Sequence, residues 1–300
     1  MQRAYIQLHI AIFLWGFTGI LGRLITLQEY PLVWWRILIT VLAMGTFLKL
    51  QNQLVSISFK QFLRVGFVGG LIALHWVTFF GAVKYSNVSV ALSALASTAV
   101  FTAILDPILK GKKPSFLELF FGTITLGGIY LIFQVQQLFA FGITLGLVSA
   151  FLCAIFTIKT KDLLSENDPT NLLFYELSGG LITLTILAPV YLHFFPAETL
   201  IPSASDTGYL LVLGLLCTFY AMRLSYQALE KISPFVMNLS VNLEPIYAII
   251  LAAIIFKENK ELNFGFYAGA GIIIAAVAAN GILQFLLRKK RNKQGQVSNL

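Results

Sequence analysis

Charge is what this 300-residue chain has least of: 11% of its residues are Asp, Glu, Lys or Arg and 58% are hydrophobic. Soluble globular domains carry about 25% and about 45–50% of these classes. A large soluble helical protein would also show a polar face on each helix, whereas most apolar segments here are apolar all round. Cysteine is nearly absent as well. Cys153 and Cys217 both fall inside apolar segments, where a thiol behaves as a small apolar side chain, and no metal-ligand spacing surrounds them. There is no Walker motif, zinc motif, nucleophile elbow or cysteine cluster, which argues against ATP-driven work by this chain alone and against hydrolytic chemistry. Asp, Glu and His are few and scattered, while a membrane-embedded enzyme of lipid or isoprenoid chemistry would gather several at one membrane face. No metal and no cofactor is expected.

What the chain does have is ten apolar segments, at 5–26, 32–50, 62–83, 87–109, 116–134, 138–158, 170–193, 207–229, 233–256 and 263–287. A hydrocarbon core of about 30 Å needs on the order of 20 apolar residues in a helix, so each segment is read as one crossing. Between Leu119 and Ile158 there is no charge at all, and the polar knot Gln134, Gln136, Gln137 marks a tight turn between two spans. Arg3 precedes the first segment in the manner of a secretory signal. The run continues past Trp15 to Arg23 without a small-residue cleavage site, so it reads as a span. Asn87-Val88-Ser89 and Asn238-Leu239-Ser240 match the glycosylation pattern, but both lie at or in apolar segments and are discounted.

The net charge of +8 is distributed by loop. With the N-terminus inside, the inner loops and tail hold 15 Lys and Arg, five of them after Leu287, and the outer loops hold four (Arg23, Lys84, Lys257 and Lys260). Positive residues favour the cytoplasmic side, which places both termini in the cytoplasm and makes 288–300 a basic, disordered cytoplasmic tail. A charge pattern of this kind is not a nucleic-acid footprint. The expected partners are the lipid bilayer and a small-molecule substrate; no nucleic acid is expected, and nothing in the sequence speaks to oligomeric state.

The two halves align at an offset of 145–146 residues. Ala82-Val83-Lys84 leads into the fourth segment as Ala228-Leu229-Glu230 leads into the ninth. An odd number of spans per unit makes the second copy enter from the opposite side, and the loop charges agree. The expected fold is therefore an all-α integral membrane protein of ten transmembrane helices, built as two inverted five-helix repeats at 5–134 and 138–287. Trp15-Gly16, Trp35-Arg36, Ala82-Val83-Lys84-Tyr85, Leu243-Glu244-Pro245 and Phe256-Lys257-Glu258 carry a resemblance to the drug/metabolite transporter superfamily, specifically its EamA-type ten-helix transporters. That resemblance covers the chain from about Ile6 to Leu286. It implies export of amino acids, other metabolites or toxic compounds. The family often has a proline midway along both the fourth and ninth spans. Here Pro245 keeps it in the ninth, while Ala99 and Val100 stand at the matching places in the fourth, so the halves are expected to flex unequally.

Polar groups inside a membrane protein usually face the bundle interior or a wet cavity. Ser89, Ser93, Ser97 and Phe101 share one face of the fourth segment at i, i+4 spacing, and Ser93 and Ser97 align with Asn238 and Asn242 in the ninth. These stripes read as opposite walls of a cavity, or as packing glue between helices. His75, Trp76, Phe79 and Phe80 in the third segment and Tyr220, Arg223, Tyr226 and Gln227 in the eighth would, with Trp15, complete an aromatic pocket. An interior Arg223 would pair a substrate carboxylate; aromatic residues also serve the interfacial belt. Arg36 and Glu176 occupy matching places about one turn into the second and seventh segments and read as structural, Arg36 by snorkelling or by bonding a helix end. Glu244-Pro245 is the mechanistic candidate. Proline denies the Val241 carbonyl its donor and kinks the helix, and a carboxylate there either carries a proton as its burial changes or braces the kink. The expected function is a secondary transporter of small organic solutes in the cytoplasmic membrane, working by alternating access. A passive channel or, further off, a lipid-processing enzyme is the alternative.

Overall fold

The computed structural model describes residues 2–133, 139–256 and 264–297, and within them the chain is helical without a strand. Among the described residues, seven helical stretches are long and apolar enough to cross a membrane: Gln2–Leu24, Glu29–Leu50, Phe59–Tyr85, Val90–Leu109, Ala140–Leu163, Pro169–Phe194 and Ala204–Leu229. Phe116–Leu131 and Tyr267–Asn280 are shorter apolar stretches. The Gln134–Gln137 knot and the 257–263 loop, which carries Lys257 and Lys260, lie outside the described residues.

In chain order the helices are α1 (Gln2–Leu24), α2 (Glu29–Leu50), α3 (Phe59–Tyr85), α4 (Val88–Leu95), α5 (Thr98–Leu109), α6 (Phe116–Phe133) and α7 (Ala140–Leu163). There follow α8 (Pro169–Phe194), α9 (Ala204–Gly214), a π-helical turn (Leu215–Tyr220), α10 (Ala221–Leu229), α11 (Pro234–Val241), α12 (Glu244–Phe256) and α13 (Phe264–Val297). Helix starts are chemically marked. Ser58, Asn87, Asp168, Ser203 and Ser233 each accept a backbone N–H of the first turn, satisfying donors that have no intrahelical partner. Pro169 and Pro234 stand directly behind their caps, where a missing N–H costs nothing. Asn87, the first residue of a glycosylation pattern, is one of these caps.

Two segments that read as continuous are interrupted. The fourth breaks at Ala96–Ser97 between α4 and α5, and the ninth at Asn242–Leu243 between α11 and α12. Helix α13 departs from expectation in the other direction, because it runs on through the basic tail to Val297 instead of ending near Leu287. Lys, Arg and Gln are good helix formers, and no proline interrupts them.

α3 is the packing centre, crossing both α7 and α8. At the α3–α8 crossing the backbones meet through glycines. A Cβ on Gly69 would stand 1.6 Å from the Glu176 carbonyl, and one on Gly179 would stand 2.2 Å from the Gly66 Cα. Small residues permit such approach where lipid offers no hydrophobic drive for helices to associate. Beneath the crossing the buried Glu176 carboxylate accepts hydrogen bonds from Thr160 Oγ1 (3.0 Å) and the Tyr226 hydroxyl, tying α7, α8 and α10 together. The periphery is apolar: Phe67, Ile186 and Val190 are exposed, as suits a surface solvated by hydrocarbon.

Candidate functional site

Between the helices lies a cavity of about 80 Å³. Since one water needs ~10–15 Å³ measured in this way, it holds several. Its wall draws on both halves of the chain: Trp15 and Thr18 from α1, Arg36 from α2, His75, Trp76 and Phe79 from α3 and Leu95 from α4. The second half supplies Cys153, Phe156 and Thr157 from α7, Met222, Ser225 and Tyr226 from α10, Met237, Asn238 and Val241 from α11, and Glu244 from α12. Most of this wall is aromatic or aliphatic, and its charged members are Arg36 and Glu244.

Of the residues expected to bind substrate, Trp15, His75, Trp76, Phe79 and Asn238 line the cavity, as does Glu244. Trp15 Nε1 donates to the Cys217 carbonyl at 3.1 Å, fixing the indole against the π-helical turn. His75 Nδ1 lies 2.8 Å from Ser149 Oγ and 2.9 Å from the Ser149 carbonyl, which locks the ring's edge to α7. Asn238 Nδ2 donates to Thr102 Oγ1 at 2.8 Å, and Asn238 Oδ1 accepts from Thr157 Oγ1 at 3.4 Å.

The other expected residues lie elsewhere. Tyr220 is 48% exposed. Arg223, expected to pair a carboxylate in the cavity, instead donates from Nε to Thr170 Oγ1 at 3.2 Å and stacks over Phe47. The cause is the π-helical turn, which contains Tyr220 and directly precedes the helix of Arg223. Each α-helical residue turns the chain by about 100°, and a π turn inserts one extra residue. Met222 and Ser225 take the cavity face instead, beside Tyr226, which lines the cavity as expected. Ser93 and Ser97 are also outside the lining. The helix breaks at Ala96–Ser97, so the i, i+4 register that put Ser97 beneath Ser93 ends there. Asn242 is buried but turned toward α6, donating to Thr125 Oγ1 at 3.0 Å. The Ser and Asn stripes are therefore not matched walls: Asn238 faces the cavity, and Asn242 joins helices.

Pro245 is the second residue of α12, a first-turn position at which its ring is tolerated. The interruption precedes it, where Asn242 N bonds Leu239 O (3.2 Å) and Leu243 N bonds Ser240 O (3.0 Å). The break thus follows directly on Val241, whose carbonyl Pro245 leaves without a donor.

Arg36 is the main residue that sequence reasoning misplaced. α2 begins at Glu29, not at 32, so Arg36 lies about two turns inside the helix, beyond snorkelling reach of the near end. It is 2% exposed. Its Nε donates to Thr218 Oγ1 at 2.7 Å, and its Cζ lies 3.9 Å from the centre of the Trp76 ring. Thr218 in turn donates to the Leu213 carbonyl at 2.7 Å, five residues back along the π-helical turn. Arg36 Nη1 and Thr18 Oγ1 are both buried without a hydrogen-bond partner among the described residues. Glu244 shares the cavity with Arg36 without forming a salt bridge to it.

Comparison with known proteins bears on what such a cavity serves. The profile of the EamA-like transporter family matches residues 2–134 and 140–282. A protein of Archaeoglobus fulgidus described as an uncharacterized transporter is 25% identical over 289 residues, 92% of this chain and 96% of its own. Another from the same organism, described in the same words, is 27% identical over 205 residues, 67% of this chain and 69% of its own. One crystal structure, of a protein 13% identical, superposes with a TM-score of 0.75 over 96% of this chain and 99% of that one. At that identity the likeness speaks for the fold alone.

Proposed function

We propose that this chain, which belongs to the EamA-like transporter family and is a transporter rather than an enzyme, is a secondary carrier. It moves small organic solutes, amino acids or related metabolites, out across the cytoplasmic membrane by alternating access. The observation that carries this reading is the cavity: an aromatic, sparsely charged chamber to which both halves contribute. A site at the junction of two repeats is what rocking of one against the other would open to each side in turn. The two helix breaks sit 145–146 residues apart by the same offset that aligns the halves, which favours a ten-span, inverted-repeat arrangement with units at 5–134 and 138–287. The loop charges favour cytoplasmic termini.

Glu244 is the proposed proton carrier. It stands at the first turn of α12, on the cavity wall, with Arg36, His75, Cys153 and Tyr226 as the other titratable groups around the chamber. A carboxylate in such a place changes its proton affinity with every change in hydration and in the distance to Arg36. Uphill export would follow if loading the proton and loading the solute were linked there.

Counterflow tests the carrier reading. Vesicles bearing the purified protein and preloaded with unlabelled solute are expected to accumulate labelled solute transiently and saturably. The solute is chosen by a growth-resistance screen against amino acids and toxic analogues. A flux that rises linearly with concentration and shows no counterflow would make the protein a channel.

A further inference from the structure

Arg36 is held far more firmly than packing alone requires, and the way it is held leaves one end of the guanidinium unused. Nε is committed to Thr218, and one flat face is covered by Trp76. Thr218 is itself anchored to Leu213 within a π-helical turn, a rare distortion whose usual place is a functional site. Burying a cationic donor without a partner is costly, and here the unpartnered atom, Nη1, belongs to a residue on the cavity wall. Thr18, on the neighbouring helix and on the same wall, offers a second buried donor that nothing satisfies. Glu244, the carboxylate on the same cavity wall, forms no salt bridge with it among the described residues.

We infer that Arg36 Nη1 and Thr18 Oγ1 form a carboxylate subsite, so that the substrate is a compact organic carboxylate whose apolar part lies against Trp76, Phe79 and Phe156. A carboxylate seated against that wall would give both donors, one of them cationic, the acceptor each lacks. A planar guanidinium fixed beforehand by stacking and by Nε loses little freedom on binding. A dianionic phosphate would bring twice the charge to a chamber with one cationic side chain and a carboxylate, Glu244. A purely cationic solute would have Glu244 to pair with but would leave Arg36 Nη1 and Thr18 Oγ1 without an acceptor. The remaining wall is apolar and selects for the hydrocarbon part of the solute. The subsite deepens the carrier reading and rests on it for the route by which solute arrives, but its chemistry is testable on the purified protein alone.

The test compares phenylacetate, isovalerate and L-phenylalanine with their carboxamides, which keep the shape and remove the charge. Binding is measured by calorimetry and by thermal stabilisation of the full chain in detergent. At least one carboxylate is expected to bind, with its amide weaker by about tenfold or more. Thr18→Val and Arg36→Lys are each expected to weaken the carboxylate by about tenfold. Thr18→Val should do so without lowering the melting temperature of the ligand-free protein, because its hydroxyl has no partner there to lose. Equal binding of acid and amide overturns the subsite, as does unchanged carboxylate affinity in both variants or no binding by any of the three acids. Discriminating binding without counterflow would keep the subsite and remove the carrier reading; counterflow of amides and acids alike would do the reverse.

Discussion

α4–α5 is interrupted at Ala96–Ser97 with no proline in the turn, and α11–α12 at Asn242–Leu243 just ahead of Pro245, yet the two interruptions are built alike. In each, the chain tightens to bonds three residues back: Ser97 N to Ala94 O at 3.1 Å in the first, Leu243 N to Ser240 O at 3.0 Å in the second. Hydroxyls take up neighbouring carbonyls in both, Thr98 Oγ1 that of Leu95 (2.6 Å) and Ser240 Oγ that of Val236 (2.8 Å). The chemistry the breaks display differs. The first gives the cavity Leu95, whereas the second gives it Met237, Asn238, Val241 and Glu244. One break presents an apolar side chain to the cavity, and the other presents a charge as well. Proline is therefore not what makes the break; what divides the two is the side chains they present to the cavity.

The widest gap between the two should appear on changing the charge. Glu244→Gln is expected to reduce pH-gradient-driven transport by about tenfold or more, within the ~5–150-fold that a coupling free energy between sites usually spans. Exchange of solute down its own gradient should persist, since the amide keeps the shape and an acceptor oxygen. Adding Thr98→Glu, which places an acid at the matching point of the first break, should restore nothing. Thr98 is buried outside the cavity lining and already bonded to Leu95. The comparison fails if the double variant regains gradient-driven movement in vesicles, and the proton-carrier role fails if Glu244→Gln alone retains it.

A smaller effect separates the two asparagines around the second break. Asn238 reaches across to Thr102 on α5, and Asn242 to Thr125 on α6. Asn238→Leu and Asn242→Leu should each cost about 1–2 kcal/mol, as buried interhelical hydrogen bonds in membrane proteins do. The lower end is favoured, because Thr102 and Thr125 keep their own bonds to the carbonyls of Thr98 and Gly122. Melting in detergent should thus fall alike in both variants. Substrate affinity should fall in the Asn238 variant alone, since that side chain faces the chamber. Equal loss of affinity would return both residues to the common role of packing glue.

How much of this was legible beforehand follows from what the bilayer dictates. Spans were readable because hydrocarbon demands long apolar helices, and the family resemblance was readable in Trp15-Gly16, Trp35-Arg36 and Leu243-Glu244-Pro245. Glu244 could be singled out because it is an acid in an apolar run. Arg36 was visible too, but three residues' difference in where α2 starts turned an interior cation into a supposed snorkeller. The π-helical turn at Leu215–Tyr220 had no signal of its own. It is supported by partners distant in sequence, the Trp15 indole on Cys217 and Arg36 on Thr218, and it carried Tyr220 and Arg223 off the cavity face. A stripe drawn on a continuous helix likewise misplaced Ser97, because nothing in Ala96-Ser97-Thr98 announces a break.

The smallest expected effect is the one that most directly probes why the breaks are alike. Pro245 lies in the first turn of α12, where an N–H would have no intrahelical partner and its loss is tolerated. Restoring that N–H with Pro245→Ala offers a donor to the Val241 carbonyl, but the tightened turn at Asn242–Leu243 stays in place. The first break shows that such a turn holds with Ala99 at the matching position. Pro245 is buried, so the variant should change stability by no more than about 1 kcal/mol, the lost burial of two ring methylenes being offset in part by the regained hydrogen bond, and counterflow should change by less than about fivefold, since 1.4 kcal/mol is tenfold. If counterflow instead falls tenfold while carboxylate binding is kept, the proline itself sets the hinge. The first break would then be a different structure that happens to sit at the same place, and the likeness drawn between the two would be lost.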